Sequence, residues 1–129
     1  MKRRNLLKER GQDLAEYALI LPIFLLVVMS IFDMGRAVYS YSALQNSVRE
    51  GARYGIIHPD DITGIENVVR QKAVGLDIRG LNIFTSYPSD ETIQIRATFR
   101  FQIITPIIGA LFGSNEVTLK GQATMHIET

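Results

Sequence analysis

One acidic residue, Glu16, interrupts an otherwise uncharged apolar segment from Leu14 to Phe32. A carboxylate within an apolar helix is costly unless a cation pairs with it, so such residues are candidates for function. Position alone leaves two interpretations open. Glu16 is either a paired functional charge, or a residue near a membrane surface, where the positive end of the helix dipole stabilises it.

The rest of the sequence offers little chemistry. The 129 residues contain no Cys and two His, with no Walker loop, dinucleotide fingerprint, Ser-His-Asp arrangement or metal-ligand spacing. The segment His58-Pro59-Asp60-Asp61 combines metal-binding residue types, but its proline and short spacing favour a turn and a helix cap. We therefore expect a protein that is not an enzyme, without metal, cofactor or small-molecule substrate.

The segment that positions Glu16 has the length and composition of a transmembrane helix. About 19 apolar residues rise roughly 28 Å, close to the thickness of a bilayer core. The basic residues precede this segment, which predicts a cytoplasmic N-terminus and an exported C-terminal part, in a single-pass protein of the cytoplasmic membrane. The alternatives are a signal peptide, whose apolar region is shorter and ends at a small-x-small site, and a core helix, which has a polar face.

Two details refine this segment. Pro22 removes a backbone hydrogen bond, so we predict a kink there and neighbouring segments that cover the freed carbonyl. The basic stretch at the start of the chain, residues 1–11, is short and has no interleaved aromatic residues, so we expect no binding to nucleic acid.

The helix is predicted to continue beyond the membrane. Apolar residues at spacings of three and four form one stripe, opposite a polar face. The stripe comprises Met34, Val38, Tyr41, Leu44, Val48 and Ala52, and the polar face comprises Arg36, Ser40, Ser47 and Glu50. Asp33 and Arg36 are three residues apart and predict a salt bridge at the exit from the bilayer. Gly51 and Gly55 have the spacing of close helix contacts, but we expect them to end the helix.

The distal part, residues 56–129, predicts a small α+β head. Helical spacing over 62–74 predicts one further helix, and alternating apolar residues predict strands at 81–85, 93–103 and 117–127. We expect the apolar connection 105–113, a short helix or a loop, to pack under the sheet rather than to form an exposed contact surface. The predicted fold is a long N-terminal helix, transmembrane and then amphipathic, with a small antiparallel sheet.

The segment Gly11-Gln12-Asp13-Leu14-Ala15-Glu16-Tyr17 resembles the processing site of type IV prepilins of the tight-adherence (Tad, Flp-type) branch. Two later segments continue the pattern, Asp33-Met34-Gly35-Arg36-Ala37 and Arg49-Glu50-Gly51-Ala52-Arg53-Tyr54-Gly55. In combination, these segments resemble the TadE-like pseudopilin family. This resemblance implies a pilin-like fold. It also implies a basic leader of residues 1–11, a helix over 12–55 with its transmembrane part at about 14–32, and a head over 56–129.

The resemblance further implies that a prepilin peptidase cuts between Gly11 and Gln12. A glycine lets the backbone extend into a protease, and cleavage exposes an α-amine that Glu16 neutralises on its own or a neighbouring subunit. Asp13 and Tyr17 belong to the same assembly segment.

The implied function is a minor pilin, joined to other subunits and the assembly machinery through its helix, for surface attachment or secretion. Two alternatives stay open. One is an uncleaved, membrane-anchored scaffold or accessory protein, and the other is a soluble binding domain behind a removed signal peptide.

Overall fold

A computed structural model describes residues 3–127, with side chains described from residue 11 onward. The basic side chains of the predicted leader therefore lie outside the described residues. The first element is a single helix, α1, Arg3–Ile57, of 55 residues. At 1.5 Å per residue it is about 80 Å long, more than twice the thickness of a bilayer core.

The head is a three-stranded antiparallel sheet packed against two helices. The strands β1 (Leu81–Ser89), β2 (Thr92–Gln102) and β3 (Glu116–His126) follow the order β1-β2-β3. Helix α2 (Ile62–Lys72) and a short 3-10 helix (Ile78–Gly80) precede the sheet, and α3 (Pro106–Leu111) lies between β2 and β3. The prediction of an α+β fold with a long N-terminal helix is confirmed, with α3 as an additional short helix.

The core lies between the second half of α1, helix α2 and one face of β2. Alternate residues of β2 are buried because a strand turns successive side chains to opposite faces of the sheet. The fully buried aliphatic side chains come from all three elements: Leu44, Val48, Ile65, Val69, Ile93 and Ile95. Arg96 and Arg100 lie on the exposed face of β2.

The predicted apolar stripe of α1 is correct only in its distal half. Leu44, Val48 and Ala52 are buried, but Met34, Val38 and Tyr41 are exposed. The face that contacts the head instead carries small and polar residues, namely Asp33, Ala37, Ser40 and Ser47. The apolar side chains were assigned to the wrong face because small residues allow the sheet to approach the helix closely, whereas hydrophobicity alone favours the larger ones.

The prediction that Gly51 and Gly55 end the helix is wrong, because α1 continues to Ile57 and both glycines are buried. A Cβ atom at Gly51 would overlap Val69 Cγ2, and one at Gly55 would lie 2.6 Å from Ile93 Cδ1. These glycines therefore allow α2 and the sheet to approach α1, which is the close-contact interpretation of their spacing.

The prediction for the apolar connection is also wrong in part. It forms α3, but most of its large side chains do not pack under the sheet. Ile104, Ile107, Leu111 and Phe112 are 60%, 52%, 80% and 70% exposed. The buried positions are the N-cap Thr105 and Gly109, and Ile108 is half-buried, so α3 faces the protein with its small residues and one apolar side chain.

Candidate assembly helix and its junction with the head

The apolar half of α1, residues 14–32, has little cover from the rest of the described chain. Every residue from 11 to 25 is exposed. An 18-residue window of the helix has a mean hydropathy of 2.3, and none of that window is buried. A core helix of a soluble protein would be largely buried, so this helix has the length and composition of a membrane anchor instead.

The predicted processing segment lies at the start of this surface. The helix continues through Gly11, and a Cβ atom there would have no neighbour within 4 Å. Gln12 Nε2 donates to Glu16 Oε1 at 3.4 Å, so the Glu16 side chain turns back toward the N-terminus, as helical side chains do. Asp13 and Tyr17 are exposed on the same helix.

Pro22 lies within α1 without interrupting its helical assignment. Its ring nitrogen has no hydrogen to donate to the carbonyl of Ala18, so that carbonyl loses its usual partner. The kink and the neighbouring segment that we expect at this position remain predictions.

The most elaborate polar contact of the described residues lies where the apolar half of α1 meets the head. Asp33 is 5% exposed, and one of its carboxylate oxygens, Oδ2, accepts three hydrogen bonds. The donors are Ile104 N at 3.0 Å, Thr105 N at 2.7 Å and Thr105 Oγ1 at 2.7 Å. This carboxylate therefore fixes the end of β2 and the start of α3 to α1.

The second carboxylate oxygen of Asp33 completes the junction. Oδ1 accepts from Arg36 Nη1 at 3.0 Å, which confirms the predicted salt bridge. The guanidinium of Arg36 also lies over the ring of Phe101, 5.1 Å from its centroid. Arg36 thus connects the carboxylate to the last residues of β2, which ends at Gln102.

These contacts determine the charge state of Asp33, which lies just beyond the predicted membrane segment. Burial alone would raise its pKa, but the hydrogen bonds from Thr105 and Ile104, together with the charge of Arg36, lower the pKa below its usual value. The carboxylate is therefore ionised at neutral pH, and its acceptor role does not depend on small changes in pH.

A groove of about 860 Å³ opens beside this junction, between α1 and the ends of β2 and β3. Phe32 and Phe101 contribute apolar surface, and three arginines line it, Arg36, Arg79 and Arg100. Arg36 and Arg79 pair with Asp33 and Asp77. Two of the three cations are thus already engaged by carboxylates of the chain.

At the opposite end of the head, the segment from His58 to Asp61 forms a turn and a helix cap, as predicted. Asp61 Oδ1 accepts from Gly64 N at 2.9 Å at the start of α2, and Asp61 Oδ2 accepts from Tyr54 Oη at 2.8 Å. These two hydrogen bonds lower the pKa of Asp61. His58 stacks on Tyr54 with ring centroids 4.7 Å apart.

Sequence reasoning found the Asp33–Arg36 pair but missed the role of Asp33 in holding the head. A signal was available. Asp33 lies on the same helical face as Leu44 and Val48, at successive steps of three and four through Ala37 and Ser40. A carboxylate on the buried face of a helix requires donors from the packed element, and backbone amides at a strand end are suitable donors.

Comparison with known protein families gives a match in the N-terminal part of the chain. Residues 11–53 match the model of the TadE-like protein family, a family associated with Tad pili. The match begins at Gly11 and ends within the second half of α1, so it includes Glu16, Pro22 and Asp33 and excludes the sheet. No curated protein and no solved structure matches the chain. The resemblance to TadE-like proteins is thus confirmed over about a third of the sequence.

Proposed function

We propose that this protein is a minor pilin (pseudopilin) of a tight-adherence type IV pilus. In this proposal a prepilin peptidase removes residues 1–11, and the protein assembles with other subunits through α1, for surface attachment or secretion. Before assembly it is anchored in the cytoplasmic membrane, with its N-terminus inside and its head outside. The match to the family associated with Tad pili supports the general role, and the features of α1 support the specific one.

The observation that carries the proposal is the exposed apolar half of α1. Residues 11–25 are all exposed, whereas Leu44, Val48 and Ala52 on the same helix are buried in the core of the head. The same apolar surface is suited to two environments in succession, since lipid and the core of a helical filament both cover apolar side chains. A helix used only as an anchor needs the first environment alone.

The position of Glu16 agrees with the assembly role. Its carboxylate contacts the side chain of Gln12, four residues earlier, and cleavage after Gly11 would place a new α-amine on Gln12 itself. In an apolar surrounding this amine requires a counter-charge, which Glu16 supplies on its own chain or to a neighbouring subunit. Asp13 lies close enough in sequence to share this role.

One observation favours a second candidate function, an uncleaved membrane-anchored scaffold or accessory protein of the envelope. The helix continues unbroken through the bond between Gly11 and Gln12. Proteases bind extended substrates, so cleavage here requires that the first turns of α1 unwind. An uncleaved anchor needs no such step.

The N-terminal residue of the protein recovered from its native host distinguishes the two functions. Intact mass and N-terminal sequencing of membrane and sheared surface fractions should yield a product that begins at Gln12. A protein that keeps residues 1–11 and occurs only in membranes would contradict the pilin proposal and support the scaffold.

A pair of matched glycine variants sharpens this experiment. Gly11→Val should block cleavage because a branched side chain fills the space beside the bond to be cut that glycine leaves empty. Gly35→Val makes the same change further along α1, where a Cβ atom also has no neighbour within 4 Å, and should leave cleavage intact. Equal processing of both variants would contradict the assignment of Gly11.

A further inference from the structure

The path of the sheet along α1 determines where α3 lies relative to the predicted membrane segment. Four contacts between α1 and the sheet follow in order along the helix, from its distal part toward the membrane: Gly55 with Ile93, Leu44 with Gly121, Arg36 with Phe101, and Asp33 with Thr105. Strand β2 therefore runs antiparallel to α1 and ends at Asp33. The chain that follows β2 is the end of the head nearest the apolar half of α1.

The side chains of α1 also indicate that cover extends past Asp33 into the predicted membrane segment. All residues from 11 to 25 are exposed, but Leu26, Val28, Met29 and Ser30 are half-buried. The connection between β2 and β3 is the part of the head that the topology places at this level. It therefore meets α1 at Asp33, directly after the apolar segment.

The composition of this connection suits lipid. No charged residue occurs from Ile103 to Asn115, in a chain that is 21% charged. Its exposed apolar side chains are Ile104, Ile107, Leu111 and Phe112. At the same level α1 exposes Ile31 and Phe32, so the two elements present one continuous apolar surface.

We propose that α3 and the residue that follows it are a membrane-interface foot, in which Ile107, Leu111 and Phe112 insert into the outer leaflet beside the anchor helix. The hydrogen bonds from Ile104 and Thr105 to Asp33 hold it at that depth. The foot couples the head to the bilayer and sets its orientation before assembly. This inference rests on the membrane anchorage in the proposed function, and names lipid as the partner of α3.

Lipid is favoured over a protein partner by the continuity with the anchor surface and by the lack of charge. Protein interfaces usually combine an apolar centre with a polar rim that provides specificity. Here the apolar side chains of α3 adjoin those of α1 that face the bilayer. An apolar surface of this kind typically inserts about 5–10 Å into the boundary between headgroups and acyl chains.

The absence of Trp from the sequence allows a direct test with the full chain. Three single-Trp variants are reconstituted in phosphatidylcholine vesicles. Quenching is measured separately with lipids brominated near the headgroup end of the acyl chain and with lipids brominated near its methyl end. Phe112→Trp reports on the foot, Phe24→Trp on the anchor helix, and Phe84→Trp on β1. All three positions are exposed, at 70%, 60% and 56%, so each replacement leaves the core intact.

The Trp at position 112 should be quenched about twofold or more by shallow bromines, as expected for a side chain at the acyl boundary. The Trp at position 24 lies about 12 Å from the exit of the segment, near the bilayer centre, and should be quenched by the deep bromines. The Trp at position 84 should be quenched by neither lipid. Quenching at 24 without quenching at 112 would overturn the foot and leave the anchor intact. No quenching at 24 would overturn the anchor, and with it both proposals.

A second variant separates lipid contact from contact with another subunit. Leu111→Glu, at a position that is 80% exposed, should strongly reduce quenching of the Trp at 112 while the protein stays folded. If instead the emission at 112 is blue-shifted but insensitive to brominated lipid, a neighbouring protein covers α3 and the lipid proposal is wrong.

Discussion

The contact between Asp33 and the start of α3 predicts a large effect for a small substitution. In Asp33→Ala the carboxylate is lost, and Thr105, which is 1% exposed, keeps a buried amide and a buried hydroxyl without their acceptor. Each unsatisfied buried group costs about 1–3 kcal/mol, and the hydroxyl can partly reorient, so we expect a loss of about 3 kcal/mol. This is a substantial fraction of the total stability of a small domain.

Hydrogen exchange in detergent micelles measures this loss where it occurs. If opening of the junction governs exchange at the Thr105 amide, a cost of about 3 kcal/mol accelerates exchange about a hundredfold. The amide of Val69, in the core of α2, should change much less. Thr105→Val removes only the hydroxyl donor and should cost about 1 kcal/mol, roughly a fivefold faster exchange.

Arg36→Gln is the control that identifies the source of the effect. Arg36 pairs with the same carboxylate, but its side chain is 47% exposed, so the pair contributes less than about 1 kcal/mol. Asp33 would still accept its three hydrogen bonds from α3 and the end of β2. If Asp33→Ala and Arg36→Gln accelerate exchange at Thr105 equally, the salt bridge rather than the backbone acceptor holds the head, and the reasoning is refuted.

Three further predictions follow from the same structure. The pKa of Asp33 is lowered in the folded protein, so its contribution to stability is complete above its ordinary pKa of about 4 and is lost as the pH falls below that value. Acid should therefore remove the protection of the Thr105 amide from hydrogen exchange in the wild type but not in Asp33→Asn. Gly51→Ala should destabilise the head by about 1–3 kcal/mol through overlap with Val69, whereas Gly35→Ala, which has no neighbour, should stabilise α1 slightly; equal thermal melting shifts would contradict this. Glu16→Ala should reduce co-assembly into sheared pili more than Glu66→Ala on α2; unchanged incorporation would eliminate the charge-pairing role.

The sequence predicts the elements of this fold well, because their patterns are local. Alternation over 93–103 identifies β2, and the spacing in 62–74 identifies α2. The helix cap at Asp61 is also local, since its acceptor and its Gly64 donor lie three residues apart. In each case the residues that cause the local structure lie within a few positions of one another in the sequence.

The failures concern which surface of an element meets another element. On α1 the periodicity predicts a buried stripe through Met34, Val38 and Tyr41, because large apolar side chains favour burial, yet these three side chains are exposed. The face of α1 that packs against the head is the one that the sheet and α2 can approach most closely. Gly51, Gly55 and the small residues near Asp33 determine that distance. Which face of a helix packs thus depends on the shape of the element that it packs against, and the periodicity of the helix sequence carries no information about that element.

The two errors, the exposed stripe and the exposed α3, have one explanation if the protein is anchored in a membrane and then joins a filament. Met34, Val38 and α3 all lie at or just beyond the exit of the apolar segment, where lipid or another subunit covers side chains that water would otherwise contact. Burial within one chain then understates the burial of the working protein. Asp33 fixes the position of α3 relative to the apolar half of α1, because its carboxylate accepts hydrogen bonds from the backbone amides of Ile104 and Thr105. The sheet is therefore held to α1 at two places, by the buried side chains of Leu44, Val48 and Ala52 and by the hydrogen bonds of Asp33.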